Sequence, residues 1–129
     1  MVVAVGIDIV SVERFRKLLR RYKDRATKRL FPEGVDYCKG KRRGEFYGCL
    51  AARFALKEAT IKAFSQLGIS LTLGQVKTQG GGRELRLKVE GVKGYKLLFS
   101  ISHEKEFAVA VVNVIKEEPL GADGKSTEQ

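Results

Sequence analysis

Apolar positions follow helical spacing through the first half of the chain and alternate with polar ones through the second. Residues 2–10 (VVAVGIDIV) form a near-continuous apolar run rich in β-branched side chains, which predicts a buried strand. Ser11 is then a good N-cap, and Glu13 adds negative charge to the first turn of a helix. That helix runs to about Leu30, with Phe15, Leu18, Leu19, Tyr22, Ala26 and Leu30 at three-and-four spacing, and Phe31-Pro32-Glu33-Gly34 stops it. A polar, irregular stretch containing Lys41-Arg42-Arg43-Gly44 follows. From Glu45 to Leu67 the spacing is helical again, but apolar residues lie almost all round, so this helix is expected to be largely buried, with Gly68 as its stop. Period two then takes over. Residues 75–79 and 84–90 predict strands joined by Gly80-Gly81-Gly82, and residues 97–101 and 107–115 predict a hairpin with Ser102 to Glu106 at its turn. The order strand, helix, helix, antiparallel sheet predicts an α+β domain over residues 1–115, two main helices packed on a mostly antiparallel sheet. Residues 116–129, rich in Glu, Gly, Ser and Lys, are expected to form a disordered tail.

At 129 residues the chain is read as one domain, with 43% hydrophobic and 31% charged residues, ordinary for a soluble protein. No signal peptide is expected, because no basic patch precedes an apolar run and a small-residue cleavage site. No apolar stretch approaches the roughly 20 residues needed to span a bilayer. His103 is the single histidine, and Cys38 and Cys49 lack metal-ligand spacing, which leaves a zinc or haem site almost without ligands. Reduced thiols in a cytoplasmic protein are the expectation. The net charge of +10 changes the picture more. Residues 11–62 hold 16 Lys/Arg against 6 Asp/Glu, whereas the remainder holds 9 against 9. The first half should therefore meet something anionic: nucleic acid, phosphorylated small molecules, an acidic protein or a membrane surface.

Three features sit awkwardly in a purely structural account. Asp8 is the one charged residue in an apolar strand, where an unpaired carboxylate is costly to bury; alternatively the strand ends near Ile7 and Asp8 caps the next turn. Glu58 and Lys62, four apart, read as a routine surface helix pair, except that Glu58 lies on a row with Phe54 beside Ile61. A partly buried carboxylate there wants a cation, either Lys62 or a metal. His103 in a hairpin turn reads first as an exposed turn residue. The triple glycine is followed by neither a helix nor a Lys-Ser/Thr pair, so it reads as a hairpin loop rather than a phosphate cradle.

Together, three segments resemble the holo-acyl-carrier-protein synthase family, the small 4′-phosphopantetheinyl transferases. They are Gly6-Ile7-Asp8-Ile9-Val10 with Val12-Glu13-Arg14; Arg53-Phe54-Ala55-Leu56-Lys57-Glu58-Ala59 with Lys62-Ala63, as in "RFAxKEAxxKA"; and Ser100-Ile101-Ser102-His103 with Ala108-Val109-Ala110, as in "SxSHxxxxAxA". The resemblance covers about residues 2–115 in matching order and spacing, with Ser70-Leu71-Thr72-Leu73 a looser match where the family carries an aromatic residue. It implies transfer of the 4′-phosphopantetheine arm of coenzyme A to a serine of apo acyl carrier protein, a step of fatty acid biosynthesis, releasing adenosine 3′,5′-bisphosphate. Asp8 and Glu58 would hold Mg²⁺, an ion that takes few carboxylates and completes its shell with substrate phosphates and water. Lys62 would neutralise phosphate charge, and His103 with Ser102 would bind phosphate or adenosine. Arg53 and the Lys41, Arg42 and Arg43 cluster are candidates for the 3′-phosphate. Glu58, Lys62 and His103 are thus the catalytic candidates, with Glu58 or a water on the metal taking the serine proton. The resemblance further implies an acidic carrier protein docked on Arg14, Leu18, Arg21 and Arg25, and a homotrimer with active sites at subunit interfaces. There Asp8 and Glu58 would come from one subunit and the Lys41–Arg43 cluster from another.

The chief rival is a small basic nucleic-acid-binding domain, favoured by the charge of the first helix. It lacks RRM, KH and helix-turn-helix signatures and aromatics interleaved with the basic cluster, and it leaves the acids at 8 and 58 unexplained. An inactive relative would bind coenzyme A without turnover; the intact acids, lysine and histidine argue against it. The expected protein is a cytoplasmic enzyme that engages neither nucleic acid nor membrane.

Overall fold

The computed structural model describes residues 1–41 and 45–118. Arg42, Arg43 and residues 119–129, most of the expected tail, lie outside the described residues. Strand β1 (Val2–Ser11) leads into helix α1 (Val12–Leu30), the short helix α2 (Asp36–Lys39) and helix α3 (Phe46–Ser65). Strands β2 (Val76–Gln79), β3 (Arg86–Val89), β4 (Tyr95–His103) and β5 (Phe107–Lys116) follow. β1, β5 and β4 form an antiparallel sheet in that order, and β2 and β3 form a separate hairpin.

Local chemistry accounts for the helix ends. The Ser11 side chain accepts a hydrogen bond from the Arg14 amide at the start of α1, and Phe31 closes its last turn by donating to the Thr27 carbonyl. Lys23 interrupts the helix with φ 49° and ψ −137°, a left-handed conformation that a residue with a Cβ adopts only under constraint. After α3, Gly68 takes φ 76°, as a helix stop requires. α3 is apolar all round because it is enclosed. Leu50, Ala51, Ala55, Leu56, Ala59 and Ala63 have no exposed surface, and they pack on Ala108, Ala110, Val112 and Val114 of β5 and on Phe15 and Leu19 of α1.

Several expectations are corrected here. β1 is not buried on both faces. Ala4 and Gly6 face α3, whereas Ile7 and Ile9 on the other side are 62% and 65% exposed. With Leu98 of β4 and Phe107 and Val109 of β5 they make an apolar outer sheet face. Ser102 and His103 are not turn residues but the end of β4, paired with Val109 and Ala108, so the turn itself is Glu104–Glu106. Cys38 and Cys49 are not free thiols. They form a disulfide, Cα–Cα 5.6 Å, that ties α2 to the first turn of α3. The pattern gave no sign of it, because α2 is a single turn too short to show a period. Lys116 belongs to β5, and Glu117 donates to the Gly94 carbonyl, so the ordered domain extends just past residue 115.

Buried charge sits beneath α3. Lys57 is fully buried and donates to Glu33 Oε1 (2.9 Å) and to the Leu30 carbonyl (2.8 Å). Glu33 also accepts from the Thr78 amide and hydroxyl, both at 3.0 Å, so one carboxylate joins the end of α1, the middle of α3 and β2. Burial pushes Glu33 up, but the bonds from Thr78 and Lys57 outweigh it and hold the carboxyl below the usual range.

Candidate functional site

Asp8 reaches the helix-facing side of the sheet by strand alternation and by one glycine. A methyl group on Gly6 would overlap the Ala59 carbonyl, so β1 lies against the α3 backbone as only glycine allows. One residue pair further on, Asp8 stands over α3 and meets the residue one turn beyond Glu58. Lys62 Nζ donates to Asp8 Oδ1 at 2.7 Å and to the Ile7 carbonyl at 3.1 Å. Glu58 is half-buried beside them. Burial raises its pKa above the ordinary carboxylate value, the Asp8 carboxylate raises it further, and Lys62 opposes both. Asp8, Glu58 and Lys62 are therefore brought together from strand and helix, as the sequence predicts.

Asp8 and Glu58 line a groove of about 420 Å³ whose other walls include Ser11, Arg14, Leu18 and Phe54. Leu18 also lines a second groove of about 340 Å³ along α1, with Tyr22, Arg25, Ala26, Arg29 and Leu30. Leu18, expected as an apolar docking anchor, and Tyr22, on the same apolar spacing, are 40% and 48% exposed. α1 buries only Phe15 and Leu19 and presents its second apolar row to solvent among arginines, with the Arg21 guanidinium 5.5 Å from the Tyr22 ring centre. A larger cleft of about 960 Å³ opens on a different face of α1, between it and α2, and contains none of the candidate site residues.

The remaining candidates lie elsewhere. His103 rests on the first turn of α3, where a methyl group on Gly48 would stand 2.7 Å from Nδ1. A glycine inside a helix that otherwise favours alanine was the available signal for this contact. Ten residues of helix separate Gly48 from Glu58, about 15 Å at 1.5 Å per residue. A small anion cannot bridge that distance, but an elongated nucleotide can. Ser102, next along the strand, faces the opposite side, beside Val109. Arg53 is buried, donating to Thr78 Oγ1 at 3.2 Å and to the Gly80 carbonyl, with Tyr37 stacked 5.0 Å away. Its guanidinium is thus engaged in joining α3 to the β2–β3 turn, away from the acid pair. Lys41 lies against the same ring, 4.8 Å from the Tyr37 ring centre.

Could this site take a divalent cation? Among the described residues, no three His, Cys, Asp or Glu side chains group into a closed metal cage. Two carboxylates opening on a groove are instead the donor set that suits magnesium, which keeps water and takes phosphate oxygens from its substrate. The Lys62 ammonium already lies on an Asp8 oxygen and a backbone carbonyl, as a stand-in cation would. The residues fit the ion.

Comparison with known proteins identifies the family and the fold. The family model of the 4′-phosphopantetheinyl transferase superfamily matches residues 4–112. The holo-[acyl-carrier-protein] synthase of Hydrogenobaculum sp. is 39% identical over 127 residues, covering 90% of this chain and 98% of that one. The crystal structure of the Helicobacter pylori enzyme in complex with coenzyme A superposes with a TM-score of 0.70 at 34% identity, covering 85% of this chain and 98% of that one. The Bacillus anthracis enzyme in complex with CoA (3′,5′-ADP) gives 0.71 at 28%, covering 91% and 99%. With the family model over residues 4–112 and a relative 39% identical over 90% of its length, the chain belongs to the holo-[acyl-carrier-protein] synthase family of the 4′-phosphopantetheinyl transferase superfamily.

Proposed function

We propose that the Asp8–Glu58 groove is where the chain carries out its family's reaction, and that the α1 groove brings the protein substrate to it. A serine hydroxyl of an apo carrier protein attacks the β-phosphate of coenzyme A, the phosphopantetheine arm is transferred, and adenosine 3′,5′-bisphosphate leaves. The observation that carries this assignment is Leu18, which lines both grooves and so joins a basic, apolar docking strip to the two carboxylates.

In this reading each candidate residue takes one role. Asp8 and Glu58 hold Mg²⁺, which when bound supplies electrostatic stabilisation of the pyrophosphate charge. Glu58, with its raised pKa, is the group suited to accept the serine proton. Lys62 turns its ammonium to the phosphates, and His103, about 15 Å along α3, receives the nucleotide end. Lys41, with Arg42 and Arg43, serves the 3′-phosphate; Arg53, engaged with Thr78 and Gly80, supports that wall rather than the ligand. Arg14, Arg21 and Arg25 meet the acidic carrier, and Leu18 and Tyr22 are its apolar anchors. Such charge complementarity acts mainly on the association rate and weakens with salt.

The apolar outer sheet face around Ile7, Ile9, Leu98, Phe107 and Val109 supports the homotrimer, because an exposed patch of this kind marks a surface that is covered in the working assembly. Ser102 lies on that face, so any contact it makes with coenzyme A would be to a site shared with a neighbouring subunit. No helix among the described residues is long and apolar enough to cross a membrane, which is compatible with a cytoplasmic enzyme.

A mass-spectrometric assay with coenzyme A, magnesium and an apo acyl carrier protein tests the reading. The carrier should gain the phosphopantetheine mass, and Asp8→Ala should prevent that gain while the protein stays folded. Absence of any mass gain across several carriers, or full magnesium-dependent turnover by Asp8→Ala, overturns it.

A further inference from the structure

Lys62 is placed where a metal would have to compete with it. Its Nζ lies 2.7 Å from Asp8 Oδ1 and 3.1 Å from the Ile7 carbonyl, so a carboxylate oxygen that could enter a cation's inner shell already accepts from an ammonium. Asp8 is mostly shielded, with its side chain 15% exposed, whereas the Lys62 side chain is 56% exposed and free to swing outward. An ammonium on Oδ1 and a hard divalent ion on the same carboxylate repel each other and share its charge, so Lys62 on Asp8 weakens the ion's hold. A phosphate-bearing ligand changes this balance, because it offers Lys62 a second anionic acceptor beside the groove.

We propose that Lys62 is a built-in counter-ion that weakens metal binding to the substrate-free site and releases Asp8 when the phosphates of the substrate arrive. The inference rests on Asp8 and Glu58 being the metal ligands. Metal and substrate are then coupled through one side chain, and linkage requires each to improve the other's affinity by the same factor. The free enzyme is kept from holding the ion before the anion that completes its shell is present.

The test uses Mn²⁺ as the probe, its free-ion signal followed by electron paramagnetic resonance in titrations with and without coenzyme A. A pair whose lysine is more than half exposed is a modest competitor, so Lys62→Met should tighten Mn²⁺ binding to the substrate-free protein by about two- to fivefold. Over the same variant, the gain in Mn²⁺ affinity produced by coenzyme A should fall by a similar factor. Arg14→Gln removes a positive charge from the same groove and should change Mn²⁺ affinity by less than about twofold, since it leaves the Asp8 contact intact. Lys62→Arg keeps the charge and should stay near wild type. Unchanged or weaker Mn²⁺ binding in Lys62→Met overturns the proposal and leaves Lys62 as a phosphate ligand only. Undiminished Mn²⁺ binding in Asp8→Ala overturns the metal assignment beneath it as well, so the two failures are told apart.

Discussion

Replacing Lys57 by methionine would leave the Glu33 carboxylate, whose side chain is 4% exposed, without its cation inside the protein. Lys57 contributes bonds to Glu33 Oε1 and to the Leu30 carbonyl, and it lies 5.1 Å from the Phe31 ring centre. Removing one partner of a buried pair costs about 3–5 kcal/mol. Here Glu33 keeps both bonds from Thr78, and methionine refills most of the volume, so the lower end, about 3 kcal/mol, applies. That is a large part of a total stability of about 5–15 kcal/mol, and at roughly 4 °C per kcal/mol it lowers Tm by about 12 °C. Guanidinium melts and calorimetry at pH 7 measure it. Glu33→Gln combined with Lys57→Met should recover much of the loss, because the stranded charge is gone. The acid limb gives a second reading. Glu33 has a depressed folded pKa, so its stabilisation is complete above its unfolded value and lost as pH falls through the folded one; wild type should therefore lose more stability below about pH 4 than Glu33→Gln does. A Lys57→Met loss under about 1 kcal/mol, or a double variant no more stable than the single, refutes the reasoning.

Glu58 behaves in the opposite sense. Its folded pKa is raised, so its contribution is intact below the unfolded value and declines as pH rises through the folded one. In EDTA, Glu58→Gln should melt a degree or two above wild type at pH 7, with no difference near pH 4; a gap independent of pH would count against the pairing with Asp8. Dithiothreitol should open Cys38–Cys49, whose partners are 11 residues apart, and lower stability by about 3 kcal/mol, seen as a drop in Tm; an unchanged melt would mean that the bridge adds nothing. For the proposed homotrimer, Ile9→Glu should give monomers in light scattering, since it places a charge on the apolar outer face; an intact oligomer would move the interface elsewhere. Arg21→Glu should raise the carrier-protein KM and flatten its salt dependence without changing the KM for coenzyme A, and unchanged steady-state kinetics would place docking away from α1.

The elements themselves were legible because the signals behind them are local. Ser11 caps α1, the apolar stretch from Leu50 to Phe64 forms a buried helix, and the alternation in residues 107–115 forms β5, each within a residue or two of expectation. The acid pair was legible as a pair of anomalies. What spacing could not report was which face of an element found a partner. Leu18 and Tyr22 fit the same helical spacing as Phe15 and Leu19, yet only the latter pair is buried in the core with α3. Ser102 and His103 are neighbours in the motif and point to opposite sides of the sheet.

The sharpest case lies within the motif helix. Lys57 and Glu58 are adjacent, charged and alike in pattern, but one is fully buried against Glu33 and the other opens on the groove beside Asp8. By itself the sequence determined that two carboxylates and two lysines would ride on a strand and an enclosed helix. Only the tertiary structure decided which charge became the core's and which the site's. A helix turns 100° per residue, so the close approach of β1 to the α3 backbone at Ala59, which the absence of a side chain at Gly6 permits, helps select the residues that meet Asp8.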